Sequence, residues 1–248
     1  MRLANKIAIV TGGASGFGAG IVRHFAREGA RVIIADLNQA CADALAGQLG
    51  DGVASQPTDV ADRASVAALV EAVQTHHGRL DILVNNAGFG HTPQPLEDVD
   101  AETFDKVFAV NSRSIYHTAQ YAVPLMKRQG GGVILNMAST AGVSPRPHLT
   151  WYNASKGWVI TATRSMAVEL ASAQIRVNAL SPVAGETPML QTFMGEDTPE
   201  IRAKFLSTIP LGRFSTPDDL GAAAVYLCSD EASMVTGVCM EVDGGRCI

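Results

Sequence analysis

The sequence predicts an α/β fold in which a doubly wound parallel sheet of about seven strands carries helices on both faces. Three observations predict this fold. Short β-branched runs alternate with longer helical patterns, the runs are apolar at successive positions, and a glycine-rich turn joins the first run to the first helix. Successive apolar residues are typical of parallel strands that crossover helices bury on both faces.

The predicted elements form one series along residues 1–248, with no internal repeat and no linker rich in proline, serine or charge. We therefore expect a single domain. The predicted strands cover residues 7–10, 31–35, 80–84, 133–135, 175–177 and 238–242, with a further strand ahead of Asp59. The predicted helices cover residues 17–28, a segment through Leu45 and Leu49, and a long segment that begins at Tyr152.

The longest irregular stretch lies between Pro182 and about Glu200. Long loops at strand ends tend to be lids or binding segments. This stretch contains large apolar side chains that are costly to leave in water, which argues against a solvated insertion. Residues 183–210 are therefore predicted to form a loop and helix that cover the substrate.

The composition disfavours several classes of partner. With 47% hydrophobic and 17% charged residues the chain can bury a sheet on both faces, and its net charge of −5 opposes binding to nucleic acid. The apolar run before the glycine-rich turn is too short for a signal peptide or a membrane span, so we expect a cytoplasmic protein without a membrane partner. The cysteines are widely spaced and the histidines scattered, so no metal site is predicted.

The turn after the first strand, residues 11–18, reads Thr-Gly-Gly-Ala-Ser-Gly-Phe-Gly. Glycines in such a turn allow positive φ and let backbone N–H groups approach a diphosphate at the positive end of the helix dipole. No lysine is present to reach a γ-phosphate, which disfavours a nucleoside triphosphatase. The turn predicts a dinucleotide site at Gly12, Ser15, Gly16, Phe17 and Gly18.

An acidic residue, Asp36, ends the second predicted strand, close to the spacing of about 20 residues that ribose recognition requires. A carboxylate in this place can accept hydrogen bonds from both adenosine-ribose hydroxyls, and it repels a 2′-phosphate. The turn and Asp36 together predict NAD as the cofactor in preference to NADP. The alternative is that Asp36 is a turn or helix-cap residue.

Tyr152 and Lys156 open a long helical pattern, and their four-residue spacing puts the phenol and the ammonium on one helical face. A tyrosine base at neutral pH needs its pKa lowered by roughly 3 units from about 10, and a neighbouring lysine and an oxidised nicotinamide are suitable sources. Ser139 follows a predicted strand, at the sheet edge where open α/β sheets bind ligands. Its hydroxyl can polarise a substrate oxygen there.

In order and spacing these motifs resemble the short, single-domain branch of the short-chain dehydrogenase/reductase family, over nearly the whole chain. The glycine-rich turn matches that family's cofactor turn. Asp59, followed by Val60, matches an acid that meets the adenine, and Asn86, Ala87 and Gly88 match the motif that closes the fourth strand. The resemblance implies a Rossmann-like fold and an NAD-dependent oxidoreductase. It also implies a homotetramer, which the apolar residues near the carboxyl terminus favour.

The resemblance further implies the roles of Asn111, Ser139, Tyr152 and Lys156. Tyr152 would protonate the carbonyl oxygen during reduction or deprotonate the alcohol during oxidation, and Ser139 would hold that oxygen. Lys156 would lower the tyrosine pKa and bind the nicotinamide ribose, while Asn111 would hold a water that links Lys156 to solvent. The cofactor carries the hydride.

One departure from the family concerns the segment after the sixth strand. The family often has Pro-Gly there, whereas this chain reads Pro-Val-Ala-Gly over residues 182–185. Because Thr187 keeps its offset from Pro182, we expect Pro182, Val183 and Thr187 to contact the cofactor, with Thr187 near the carboxamide. The path of residues 183–186 stays open.

The substrate end is expected to be lined by His91 and by residues 141–151 and 189–194, which are mostly apolar. The residues singled out as contacts are His91, Ala141, Arg146, Trp151 and Met189. Apolar walls suit a small or medium free secondary alcohol or its ketone. Arg146 would pair with an anionic tail if it points inward, and solvent exposure of this arginine is the alternative.

Two other functions stay open. A 3-oxoacyl carrier-protein reductase is disfavoured by Asp36, and by Val168, which stands where many such relatives have a basic residue. A regulatory protein that binds the dinucleotide without turnover is the second, because fold does not fix function.

Overall fold

The computed structural model describes residues 1–248 and contains one parallel sheet. Its strands are β1 (Ile7–Thr11), β2 (Arg31–Asp36), β3 (Val53–Pro57), β4 (Ile82–Asn85), β5 (Gly132–Met137), β6 (Ile175–Pro182) and β7 (Cys239–Val242). Their order in the sheet is β3-β2-β1-β4-β5-β6-β7. The predicted fold class, a doubly wound Rossmann-like sheet in one domain, is confirmed. The strand order reverses between β1 and β4, and ligands bind at such a switch point, outside the carboxyl ends of the strands.

Helices cover both faces of this sheet. They are α1 (Gly16–Arg27), α2 (Gln39–Leu49), α3 (Arg63–His77), α4 (Ala101–Phe108), α5 (Ser114–Gln129), α6 (Thr150–Leu170), α7 (Pro188–Met194), α8 (Pro199–Leu206) and α9 (Pro217–Cys228), with a π-helical turn, Ala109–Arg113, between α4 and α5. Residues of α1, α2 and α9 share one apolar core with the sheet, and residues of α3, α5 and α6 share the other. None of these helices has the length and apolar character needed to span a membrane.

The two cores explain the successive apolar residues of the first strand. Ala8 and Val10 pack into the core with α1 and α9, whereas Ile7 and Ile9 pack into the core on the opposite face. Adjacent side chains of a strand point to opposite faces, so both sets must be apolar when helices cover both sides. All four are nearly or fully buried.

Strands β5 and β6 are longer than the apolar runs predicted, because both contain buried polar residues. Asn136 in β5 accepts a hydrogen bond of 2.8 Å from Asn85 and donates one of 2.9 Å to Thr163. Asn178 in β6 donates to the carbonyl of Val235 at 2.9 Å. These amides are hydrogen-bonded to groups of the sheet, of α6 and of the segment before β7, which an apolar pattern cannot reveal.

The stretch predicted as irregular after Pro182 contains two helices, α7 and α8. Proline stands at the first position of each, where its missing N–H is not needed and its fixed φ suits a helix. The expected burial of apolar side chains in this stretch is seen for Val183, Leu190 and Met194, which form a small separate core with Ile209 and Phe214.

Candidate active site

A cleft of about 350 Å³ opens at the carboxyl ends of the strands, at the switch point between β1 and β4. One end is formed by the glycine-rich turn and the ends of β2 and β3, and the other by the start of α6 and by α7. The predicted site residues that line it are Gly12, Ser15, Gly16, Phe17, Gly18, Asp36, Asp59, Val60, Asn86, Ala87, Gly88, Ser139, Ala141, Arg146, Tyr152, Lys156, Pro182, Val183, Thr187 and Met189.

The glycine-rich turn leaves backbone N–H groups facing the cleft. Gly12 has φ +61°, and a Cβ there would lie 2.8 Å from the Cα of Ala87. A Cβ on Gly18 would overlap the carbonyl oxygen of Gly12. Ser15 occupies the N-cap position of α1, but its side chain makes no capping hydrogen bond. The backbone N–H groups in the first turn of α1 are therefore not occupied by a capping side chain and can bind an anion.

Side chains of β1 and β4 hold this turn in place. The Thr11 hydroxyl accepts hydrogen bonds from the backbone N–H groups of Asn86 at 3.0 Å and Ala87 at 3.1 Å. Asn86 Nδ2 donates to the carbonyls of Thr11 and Gly12, both at 2.9 Å. The motif after β4 therefore fixes the turn after β1, which explains why both line the same cleft.

The acid at the end of β2 contacts the turn directly. One oxygen of Asp36 accepts a hydrogen bond of 3.0 Å from the N–H of Ala14, and the other accepts one of 2.9 Å from Asn38. The N-cap of α2 is Asn38, whose side chain accepts from the N–H of Cys41. Asp36 therefore bonds to a turn and also lines the cleft, and the residue that caps α2 is Asn38 and not Asp36.

The cluster predicted to be catalytic lies where β5 meets α6. Tyr152 and Lys156 are only 6% and 4% exposed. Lys156 Nζ lies 5.9 Å from the centre of the Tyr152 ring and donates a hydrogen bond of 2.8 Å to the carbonyl of Met137. Ser139 Oγ accepts from the N–H of Ala141 at 3.1 Å.

Burial has the largest effect on the pKa values of this cluster. Burial raises the pKa of Tyr152 to about 12, and the nearby Ser139 hydroxyl and Arg146 guanidinium oppose that increase. Burial lowers the pKa of Lys156 to about 8. In the protein alone the Lys156 ammonium is bonded to the Met137 carbonyl, and Arg146 is a cation that acts on Tyr152. The lowering of the tyrosine pKa by Lys156 stays a prediction.

Asn111 lies beside this cluster, in the π-helical turn, and does not line the cleft. Its Oδ1 accepts from the N–H of Phe89 at 2.8 Å, and its Nδ2 donates to the Phe89 carbonyl at 2.9 Å and to Ser155 Oγ at 3.0 Å. These bonds join the segment after β4 to α6. A Cβ on Gly88 would lie 3.6 Å from Asn111 Oδ1 and 3.7 Å from Lys156 Nζ, so both polar groups lie beside Gly88. The water relay stays a prediction.

Two residues expected at the substrate end do not line the cleft. The indole N–H of Trp151 donates to the carbonyl of Leu96 at 3.1 Å, and its ring packs edge-on against Phe104. His91 is buried, and its Nδ1 lies 2.8 Å from the carbonyl of Thr92. Proximity in sequence to the motifs suggested both residues, but neither is among the residues that line the cleft.

The segment after β6 takes a defined path. Gly185 pairs with Ser215, since the N–H of Ser215 donates to the Ala184 carbonyl and the N–H of Glu186 donates to the Ser215 carbonyl. A Cβ on Gly185 would overlap the Phe17 ring, so the displaced glycine is needed for this close approach. Thr187 lies close to Gly16 of the turn.

Other lining residues carried no motif of their own. Phe193 packs its ring 4.8 Å from that of Tyr152, and Leu37 directly follows Asp36 with 72% of its surface exposed. Leu149, Leu190 and Phe193 fall within the ranges 141–151 and 189–194 that were expected to line the substrate end. For several of the others, position next to a motif residue at a strand end is the signal that would have found them. The remaining ones are Ala35, Thr58, Val110, Met137, Ala138, Thr140, Ala184, Gly185 and Pro188.

Comparison with known proteins agrees with this architecture. Residues 12–246 match a family model described as enoyl-(acyl carrier protein) reductase. A 4-formylbenzenesulfonate dehydrogenase of Comamonas testosteroni is 49% identical over 250 residues, with 99% of each chain covered. A 3-oxoacyl-[acyl-carrier-protein] reductase of Thermotoga maritima is 40% identical over 252 residues, with all of each chain covered.

A solved structure agrees as well. A 3-ketoacyl-(acyl-carrier-protein) reductase from Brucella melitensis, complexed with NADH, has a TM-score of 0.94 and 49% identity, covering 99% of this chain and 100% of its own. The sequence, fold and cleft thus lead to one conclusion. The chain belongs to the short-chain dehydrogenase/reductase family of oxidoreductases.

Proposed function

We propose that this protein interconverts a free secondary alcohol and its ketone with NAD(H), using Tyr152 as the general acid and base. One observation carries the proposal. The buried Tyr152 hydroxyl lies beside Ser139 and Arg146 at the apolar end of a cleft whose other end has Asp36 and the uncapped start of α1.

The cofactor end fits a nicotinamide dinucleotide. The uncapped first turn of α1 and its glycines suit a diphosphate, and the Asp36 carboxylate suits ribose hydroxyls better than a 2′-phosphate. Asp59, Val60 and Leu37 line the cleft near Asp36, where the adenine would bind in this proposal. Bound there, the dinucleotide would supply the hydride acceptor or donor.

The remaining chemistry is a proton transfer by residues of the chain. During reduction the Tyr152 hydroxyl gives its proton to the substrate oxygen, which the Ser139 hydroxyl also holds. During oxidation the phenolate takes the proton of the alcohol. Burial opposes formation of the phenolate, so positive charge must offset it, and Arg146 supplies part of that charge. Lys156, only 4% exposed, binds the nicotinamide ribose in this proposal.

The choice between a free and a carrier-bound substrate depends on a residue outside the cleft, Val168. Two relatives are named as reductases of carrier-bound 3-oxoacyl groups, and the Brucella structure holds NADH, so an NAD preference does not argue against that role. Val168 still argues against it, because 82% of its surface is exposed where many carrier-protein reductases have a basic residue. We therefore propose a free substrate.

A second candidate is the oxidation of an aromatic aldehyde. The relative from Comamonas is named for such a substrate, and the Phe193 ring beside Tyr152 gives the cleft an aromatic wall. The hydrate of an aldehyde has a hydroxyl that Tyr152 can deprotonate as it does an alcohol.

The test is nicotinamide absorbance at 340 nm during a screen of secondary alcohols, ketones, aromatic aldehydes and a 3-oxoacyl carrier-protein thioester, each with NAD(H) and NADP(H). Tyr152→Phe is the control for background reduction. The highest kcat/KM should belong to a free alcohol or ketone with NAD(H). A much higher value for the thioester contradicts the proposal, and so does the absence of any turnover.

A further inference from the structure

Arg146 is held between the predicted acid/base and the segment over the cleft. It lines the cleft from the loop that precedes α6, and its carbonyl accepts a hydrogen bond of 2.7 Å from Asn153, the residue after Tyr152. Its guanidinium carbon lies 4.8 Å from the centre of the Phe205 ring on α8. The arginine is thus oriented by three separate elements.

The guanidinium has no acidic partner. No ion pair of the chain includes Arg146, and none of its side-chain N–H groups donates to a protein acceptor. The contact of the guanidinium with the Phe205 ring provides no hydrogen-bond acceptor for these N–H groups. The side chain is partly buried, and this burial lowers its pKa, because a partly desolvated guanidinium without an anion is costly.

A second arginine adds to this positive charge. Arg246 lies close enough to lower the pKa of Arg146 further. One terminal nitrogen of Arg246 donates to Ser144 Oγ at 3.3 Å, whereas its buried Nε has no partner. The nearest acid along the chain, Asp243, instead accepts hydrogen bonds from the N–H groups of Gly245 and Cys247, at 2.9 and 2.8 Å.

From this juxtaposition we propose that Arg146, assisted by Arg246, binds a carboxylate or sulfonate group of the substrate. The proposal rests on the proposed function, because it assigns a substrate class to the same cleft. The planar N–H fork of arginine matches the oxygens of such a group. Leu149 and Phe193, also on the cleft wall, suit the apolar body that joins the anion to the reacting carbon.

The test compares ligands that differ by one carboxylate. The probes are 4-acetylbenzoate and 3-acetylbenzoate, with acetophenone as the neutral counterpart that has the same ketone. Calorimetric titration of the protein saturated with NAD⁺, which cannot reduce a ketone, gives the Kd of each. The same titrations without NAD⁺ keep the measurement valid if the cofactor does not bind.

Three variants separate a local effect from a change in overall charge. Arg146→Gln removes the proposed ligand and Arg246→Gln its neighbour. Arg128→Gln removes an exposed positive charge at the carboxyl end of α5, at the opposite edge of the sheet. The wild type should bind at least one acetylbenzoate more tightly than acetophenone. Arg146→Gln should raise the Kd of that anion about tenfold or more, Arg246→Gln less, and Arg128→Gln not at all.

The Kd of acetophenone should change by less than about twofold in every variant. If Arg146→Gln does not fold, Arg146→Lys keeps the charge without the fork and should weaken anion binding to an intermediate degree. Equal affinity of the wild type for anionic and neutral ketones overturns the proposal. The proposal is also overturned if Arg146→Gln lowers kcat equally for the anionic and the neutral ketone and leaves the Kd of the anion unchanged. Arg146 would then act only on the pKa of Tyr152. If no alcohol is oxidised, the proposed function fails while these titrations still decide the anion subsite.

Discussion

The Asp36 carboxylate accepts a hydrogen bond of 3.0 Å from the backbone N–H of Ala14, so the acid that ends β2 is joined to the glycine-rich turn that follows β1. Its second oxygen accepts a bond from Asn38. Each carboxylate oxygen can accept about two hydrogen bonds, so both keep capacity for ribose hydroxyls. The same side chain therefore shapes the turn and remains available to the cofactor.

Replacement of Asp36 should change the choice between NAD(H) and NADP(H). Asp36→Asn keeps the size of the side chain and one of its oxygens but removes the charge that repels a 2′-phosphate. Asp36→Ala removes the charge and both oxygens. We expect the ratio of kcat/KM for NADP(H) to that for NAD(H) to rise about tenfold or more in each. Asp36→Ala should also weaken NAD binding more, because the Ala14 contact is lost. A wild type that prefers NADP(H), or uses both equally, contradicts the assignment.

Gly18 should tolerate no side chain, because a Cβ there would overlap the backbone carbonyl of Gly12. Gly18→Ala is therefore expected to abolish binding of NAD⁺ in a calorimetric titration and to lower the melting temperature. Gly47→Ala is the matched control, since Gly47 lies inside α2 with no atom within 4 Å of the added methyl. It should keep NAD⁺ affinity and raise stability by about 0.5–1 kcal/mol. Equal behaviour of the two variants would show that close packing of the turn is unimportant.

Tyr152→Phe should keep the fold and cofactor affinity but lose at least about 10²–10⁴-fold in kcat, because it removes the proton donor and nothing else. Stopped-flow absorbance at 340 nm measures the loss, and NADH fluorescence titration checks cofactor binding. Phe193→Leu is a useful comparison, since it removes the ring that packs on Tyr152 and leaves the hydroxyl. A Phe variant at position 152 with near-normal kcat would exclude the tyrosine as acid/base.

The elements whose prediction succeeded are those for which one local pattern is sufficient. Continuous apolar runs such as residues 7–10 follow from burial on both faces, and the turn between β1 and α1 follows from its glycines. The motif positions lie at the carboxyl ends of strands, and a parallel sheet brings such ends to one edge. Most of the cofactor end could therefore be predicted before any coordinates.

The remainder depends on side-chain direction and on partners far apart in sequence. His91 and Trp151 stand near motifs, yet neither lines the cleft, and their side chains contact the carbonyls of Thr92 and Leu96. The orientation of Arg146 depends on Phe205 and Arg246, which are 59 and 100 residues away in the numbering of the chain. The pKa of Tyr152 likewise depends on burial, which a four-residue spacing with Lys156 does not reveal.

We expect the protein to form a homotetramer, as its family resemblance implies. Several large apolar side chains are exposed on the single chain, among them Val168 on α6 and the terminal Ile248. Light scattering coupled to size exclusion should give four times the chain mass of 26.0 kDa. Ile248→Asp should shift the distribution towards smaller species if the carboxyl terminus is in an interface. A stable monomer at micromolar concentration would contradict the expectation.

Lys156 should reduce the stability of the fold at neutral pH. Burial lowers its pKa from the usual 10.5 to about 8, so the folded state binds its proton less tightly than the unfolded state does. Below pH 8 the lysine is charged in both states, and burial of this charge destabilises the folded state by the full amount, on the order of 3 kcal/mol. Between about pH 8 and 10.5 the folded lysine loses its proton first, so the free energy of unfolding rises with pH in this window.

Lys156→Met keeps a side chain of similar length without the charge, and it should therefore be more stable than the wild type at pH 7, by up to about 3 kcal/mol. Loss of the hydrogen bond to the Met137 carbonyl makes this an upper limit. Urea unfolding without cofactor at pH 7 and pH 9.5 measures the difference, which should shrink at the higher pH. Lys127→Met, at an exposed position on α5, should show no such dependence. If Lys156→Met is less stable than the wild type by the same amount at both pH values, the buried ammonium stabilises the fold and the prediction is wrong. If the variant is more stable, we expect the gain in stability to come with a loss of turnover.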